Sequence, residues 1–401
     1  MTPAVDAFLD AHDGELCALR RHIHSHPELS WAEHDTTDLV CQRLQVAGLE
    51  PDVLPGGTGL WCDIGAAGAG AGPVIALRAD LDALPIDDTK DVPYASQVPG
   101  VAHCCGHDVH TTVVLGAGLA IAGALAVDAA ALGRARVRLV FQPAEEAIPG
   151  GAEVMVSAGV LTDVVAMLGL HVEPHLDVGM VGVRAGPITS AVDRVRIVLR
   201  GPGGHTARPN RTVDLVTAAS RVVTDLTLAV SRLTDMRGAT NLTFGAINAG
   251  TSPNVIPREA ELLGSFRTVD RDVWDTAPEM LTRLLNDSVR LWGADCELDY
   301  GRGHPPVVND AALASLVRQV GADVLGADAV AEAAQSLGGD DFAWFLERVP
   351  GCYVRLGARD PGGAAPPVDL HAAGFDVDER AIGVGVRLLT ALVFEIAATA
   401  A

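Results

Sequence analysis

The chain has 401 residues, 49% hydrophobic and 20% charged, the composition of a folded protein of two or three domains and not of a disordered one. With 51 acidic against 29 basic residues, its net charge of −22 would repel phosphate backbones and anionic bilayers, so neither nucleic acid nor membrane is an expected partner. Seven scattered cysteines argue against a disulfide framework, and with no signal-peptide pattern over Met1–Asp10 the expected compartment is the cytoplasm.

Short apolar runs come first: Pro73–Arg78, Arg136–Phe141 and Val164–Leu170, separated by helix-length stretches. That alternation predicts an α/β fold with a mainly parallel sheet flanked by helices. Gly65–Pro73 is low in complexity and reads as a loop. Val113–Val127 is uncharged, shorter than the ~20 residues a spanning helix needs, and reads as a helix buried against the sheet. Each run stops at polar residues: Asp80 and Asp82, then Glu145 and Glu146, then His171. Ligand chemistry in open α/β sheets collects at the carboxyl ends of strands, so three strand ends would deliver metal-type ligands to one rim.

From about Ala191 the pattern changes. Ala191–Leu199 alternates, Val213–Leu226 has helical spacing, and Asn241–Asn248 and Glu259–Arg267 are strand-like. A helix-like Asp272–Trp292 and a short strand at Asp295–Tyr300 complete the βαββαβ order of a ferredoxin-like α+β sheet. Residues 307–401 return to helix and strand alternation, with Gly351–Leu356 as a strand. The expected architecture is a discontinuous α/β domain, residues 1–185 and 303–401, with a second domain inserted at 186–302.

The densest cluster of reactive side chains is His103–His110 (HCCGHDVH). Cys105 and His107, separated by a glycine, can face one transition metal, with Asp108 or His110 as outer partners; a buried thiol beside a helix-start histidine is the plainer alternative. Glu145 and Glu146 follow a buried strand on an irregular loop ending at Gly150-Gly151, where adjacent carboxylates diverge. One can bind metal and the other act as general base, the competing reading being a solvated pair. His171 and His371 would each alone be structural. Together, Cys105, His107, Glu146, His171 and His371 suffice for two divalent ions, zinc by the thiolate, with manganese, cobalt or nickel also admitted. His22, His24 and His26 read as packing an N-terminal helix against the core.

The ordered segments Arg78–Pro85 (RADLDALP), Cys105–Asp108 (CGHD), Phe141–Glu146 (FQPAEE), Gly169–His171 (GLH), Gly203–His205 (GGH), Asn254–Pro257 (NVIP) and Leu370-His371 resemble the aminoacylase, hippurate hydrolase and indole-acetyl-amino-acid hydrolase family of dinuclear metallopeptidases. The resemblance runs from about Arg20 to Glu379. It implies a catalytic domain interrupted by a lid or dimerisation domain, two metal ions on those five ligands, Glu145 as general base and Asp82 as a supporting acid. His205, Asn254 and Arg267, in the inserted domain, would bind the substrate carboxylate or the scissile carbonyl oxygen. The implied activity is hydrolysis of N-acyl amino acids, and the implied assembly a homodimer, or dimer of dimers, through the inserted domain, with His205 reaching the neighbouring subunit's site. The rivals are a dipeptidase or carboxypeptidase of the same family, and a metal-dependent binding protein without turnover, against which Glu145 argues. Three features depart from the family pattern: Cys104 in place of alanine, where it could compete with Cys105 for metal, Ala102 in place of a frequent methionine, and Gly339-Asp340-Asp341 in place of Ser-Glu-Asp.

Overall fold

The computed structural model describes residues 2–65, 72–363 and 366–399, so most of the loop expected at Gly65–Pro73 lies outside the described residues. The chain forms two compact units. One comprises Met1–Gly186, Val308–Ala334 and Trp344–Ala401, the other Pro187–Val307 and Gln335–Ala343. The second unit thus extends past the expected 302 and adds a segment expected in the first. Hydrogen bonds explain the addition: the Ser190 N–H donates to Gly338 O at 3.0 Å and the Arg267 guanidinium to Leu337 O at 2.6 Å. No sequence periodicity reports such a crossing.

The first unit is built on an eight-stranded sheet. Val74–Asp80 runs parallel to Arg136–Gln142 on one side and Val164–Asp177 on the other, and Gly351–Arg359 continues the parallel run. Leu60–Ile64 joins antiparallel to Arg136–Gln142. All of Val74–Asp80 is buried, as expected of a parallel strand covered on both faces. The helices that bear on the site are α1 (Thr2–Ser25), α2 (His34–Val46) and α3 (His107–Val127). α3 packs against α1, the Arg380–Thr399 helix and the central strands. A Cβ at Gly118 would stand 2.2 Å from Leu139 Cδ1, so its absence lets the helix lie directly on the sheet.

α3 begins six residues before the expected run because its polar first turn, His107–Thr112, is itself buried. The apolar-run criterion cannot see such a turn. As a result α3, like Arg380–Thr399, is long and apolar enough to cross a membrane; 67% of the most apolar stretch of each is buried.

The second unit has a four-stranded antiparallel sheet, ordered Asn241–Ala249, Glu259–Thr268, Ala191–Arg200, Asp295–His304. Val195, Ile197 and Leu199 from its centre share one core with Leu226 of the Leu215–Leu233 helix and Leu281 and Leu285 of the Arg271–Arg290 helix. Asp214 and Asp270 cap these helices by accepting from Thr217 N, and from Asp272 N and Val273 N. Each such cap is worth ~1 kcal/mol. A short ribbon pairs Gly204–His205 with Val255–Ile256.

Candidate metal centre

The carboxyl ends of the central strands bring five side chains together in the first unit. Cys105 and His107 enter at the start of α3, where Gly106 adopts φ 87° and a Cβ would meet Val172 Cγ2 at 2.3 Å. Only glycine gives both the left-handed turn and the clearance. His171 lies within Val164–Asp177, a strand that continues past its expected end at Leu170. His371, at φ 60°, is tied to the same place by its N–H bond to Cys104 O at 2.8 Å. Cys105 Sγ is 3.4 Å from His171 Nε2 and 3.3 Å from His371 Nε2, and His371 Nε2 is 3.1 Å from Glu146 Oε1. His107, Glu145 and Glu146 form an adjoining group, with His107 Nε2 3.9 Å from Glu145 Oε2. Cys104, by contrast, belongs to the apolar core and to none of the ligand-type groups among the described residues.

The hydrogen bonds fix how the imidazoles face this cluster. His107 Nδ1 donates to Asp82 O at 2.8 Å and His171 Nδ1 to Val172 O at 2.7 Å, so both turn Nε2 inward. His107 Nε2 is buried without a hydrogen-bond partner, and Glu146 Oε1, buried beside His371 Nε2, has only that ion-pair contact and no well-aligned hydrogen bond. Buried polar atoms are normally satisfied, so orphans of this kind fit divalent cations. His110 is different: Nδ1 donates to Asp80 Oδ1 at 2.7 Å and Nε2 accepts the Val172 N–H at 3.0 Å, which uses both nitrogens.

The electrostatics point the same way. Burial, reinforced by Glu146, Glu145 and Asp80, holds the Cys105 thiol well above its usual range. A thiolate there needs a cation beside it. Burial works against a charge on His107, but Asp80 and Asp82 outweigh it and lift the imidazole to about 10. A cation at Nε2 would replace that proton. Burial also opposes ionisation of Asp80, yet Arg78, His107 and His110 hold it well below the ordinary carboxylate range.

Asp82 organises the acidic loop. Its Oδ1 accepts the Glu145 N–H at 3.1 Å, and its Oδ2 the Glu146 N–H at 3.0 Å and the Ser30 hydroxyl at 2.6 Å. Asp80 bonds Arg78 at 2.5 Å, and Arg78 bonds Gln142 at 2.8 Å. Asp108 is held by Arg20 and His24, each at 2.7 Å, which ties α1 to the turn that carries Cys105 and His107. His22 and His26 stack on each other with centroids 4.5 Å apart. Ser30 and Arg20 lie in none of the segments that carry the resemblance, and Gln142 lies in FQPAEE without a role of its own.

The remaining expected residues lie in the second unit. His205 is exposed, and its Nδ1 accepts the Ala207 N–H at 3.0 Å, so Nε2 carries the proton and is the outward donor. Asn254, beside it in the same cleft, accepts the Ser252 hydroxyl at Oδ1 (2.7 Å), which leaves its amide nitrogen as a donor. Arg267 is not brought to this cleft. It pairs with Val192 at one end of its strand, whereas the His205 ribbon follows the end where Arg200 pairs with Glu259. At ~3.3 Å per strand residue the two ends are about 25 Å apart.

Residues 76–395 match the family described as Peptidase family M20/M25/M40. The chain is 37% identical, over 94% of its length, to the N-acetylcysteine deacetylase of Bacillus subtilis (strain 168), of which it covers 95%. It is 47% identical, also over 94% of its length, to a Rhodococcus jostii (strain RHA1) protein that carries the name glutamate–cysteine ligase 2-3, but spans only 46% of that protein. Among solved structures it resembles the Bacillus subtilis YXEP protein, described as a dinuclear metal binding peptidase from the M20 family. The TM-score is 0.83 at 34% identity, covering 97% of this chain and 99% of that one.

Proposed function

The chain belongs to peptidase family M20/M25/M40, and from that premise we propose that it is a dinuclear metal-dependent amidohydrolase that cleaves N-acyl amino acids to a carboxylic acid and an amino acid. The observation that carries this reading is the clustering of Cys105, His107, Glu146, His171 and His371 around orphaned buried atoms, with the Glu145 carboxylate beside them. These five side chains would hold two divalent ions, zinc suiting the thiolate and manganese, cobalt or nickel also suiting the nitrogen and oxygen donors. When bound, such ions polarise a carbonyl and lower the pKa of water toward ~7.

Glu145 takes the proton of the attacking water and returns it to the leaving amine nitrogen. Asp82 keeps Glu145 and Glu146 in place through their N–H groups and steadies His107. His205 donates from Nε2 to the developing oxyanion, and Asn254 and Arg267 bind the substrate's carbonyl or carboxylate oxygens. One chain's His205 and Arg267 lie too far apart along the sheet to grip one small substrate. That separation supports a homodimer through residues 186–302 in which His205 serves the neighbouring subunit. The cysteines are all unpaired, which suits the reducing cytoplasm.

The test is a screen of hippurate, N-acetyl amino acids, indole-acetyl conjugates and unblocked dipeptides against each of the four metals. Turnover of the acylated substrates above the dipeptides is expected. A preference for dipeptides would replace this reading with a dipeptidase, and two bound ions without turnover would leave a binding protein.

A further inference from the structure

Glu33, in the loop before α2, is a fully buried carboxylate outside the ligand cluster. Its Oε1 accepts the Ala144 N–H at 2.7 Å and the Trp31 N–H at 3.0 Å, while Oε2 is buried without a hydrogen-bond partner. Asp82 accepts from the next two residues, Glu145 and Glu146. Three successive N–H groups are therefore held by two buried carboxylates from separate parts of the chain. Ala144 stands at φ 51°, a left-handed conformation that residues with a Cβ rarely adopt. That turn sets the direction in which Glu145 leaves the strand.

An apolar side chain would fill the same buried volume without an unpartnered oxygen, which is costly to bury. What it could not supply is an acceptor for Ala144. We propose that Glu33 is a positioning residue: its Oε1 pins Ala144 in the left-handed turn that aims Glu145 at the proton it moves. The inference rests on the reading of Glu145 as general base.

Three variants separate this role from simple packing. Glu33→Gln retains the acceptor oxygen, Glu33→Asp withdraws it by one methylene while keeping the charge, and Glu33→Ala removes it. Each is measured for kcat, KM, metal content and melting temperature, alone and combined with Glu145→Gln. Glu33→Ala and Glu33→Asp should lower kcat roughly 10- to 100-fold, the scale of a misplaced reacting group, with KM and metal content unchanged. Glu33→Gln should stay close to wild type. On the Glu145→Gln background the same changes should cost little more, because both act through one group.

Should Glu33→Ala fail to fold, the Asp and Gln pair decides. Wild-type kcat in Glu33→Asp, a Gln variant as slow as the Asp variant, a full additional loss on the Glu145→Gln background, or parallel loss of metal would each overturn the proposal. A crippled Glu145→Gln beside an unaffected Glu33→Asp sinks the positioning role alone. A fully active Glu145→Gln sinks the general-base reading with it.

Discussion

Glu145 and Glu146 have the same side chain one residue apart, and their surroundings differ. Glu146 reaches His371 at 3.1 Å within the group that includes Cys105, whereas Glu145 lies on the His107 side at 3.9 Å. Glu145→Gln should therefore keep both ions and its substrate affinity but lose ~100-fold or more in kcat, the scale of a lost general base. Glu146→Gln should release metal. Kinetics and elemental analysis on the same preparations check both, and near-normal turnover of Glu145→Gln would reverse the assignment. The paired cysteines separate in the same way, Cys105 among the histidines and Cys104 in the apolar core. Cys105→Ser should lose both ions together while Cys104→Ser keeps them; a single ion sensitive only to Cys104→Ser would refute this. Asp82, Glu145 and Glu146 were legible because polar residues just past buried strands have few other reasons to be there, and Cys105 and His107 because His103–His110 is so dense in reactive side chains. Ser30 and Glu33 were not, since nothing in the spacing links residue 33 to the N–H of residue 144.

At the level of elements, the turn into α3 joins backbone geometry to ligand spacing. In Gly106→Ala the new Cβ would both strain a φ of 87° and strike Val172 at 2.3 Å, moving Cys105 away from His107. The left-handed residue alone costs about 1–2 kcal/mol, and overpacking adds about 1–3. Gly118→Ala, whose Cβ would meet Leu139 at 2.2 Å in the core, is a matched control far from the ligands. Both variants should unfold at lower denaturant, but only Gly106→Ala should also lower metal stoichiometry. Equal metal content in the two would show that the turn does not set the ligand spacing. The buried parallel strands were readable because burial on both faces makes them continuous apolar runs. The start of α3 was not, because its first turn buries Asp108 against Arg20 and His110 and Thr111 against Asp80. Such polar contacts cross long stretches of chain and leave no periodic trace.

At the level of the whole molecule, the second unit carries donors, His205 Nε2 and the Asn254 amide, that make no hydrogen bond among the described residues. His205 presents an exposed Nε2–H and Asn254 an amide beside it, yet Arg267, the cation expected to share their substrate, sits at the far end of a strand pair whose two ends are about 25 Å apart. Two chains related by a two-fold axis through residues 186–302 would let His205 of one chain complete the site of the other, because such an interface exchanges equivalent contacts in both directions. The consequence is measurable without a structure of the assembly. His205→Ala and Glu145→Gln, each inactive alone, are mixed under conditions that let subunits exchange. In each heterodimer one site combines an intact Glu145 with the neighbour's intact His205, while the other site lacks both. Random exchange makes heterodimers half of the population, so roughly a quarter of wild-type sites should regain activity. If His205 served its own chain, every site in the mixture would still lack one of the two groups and none would recover. Heterodimers confirmed by mass but silent in turnover would therefore place His205 in cis or outside the chemistry.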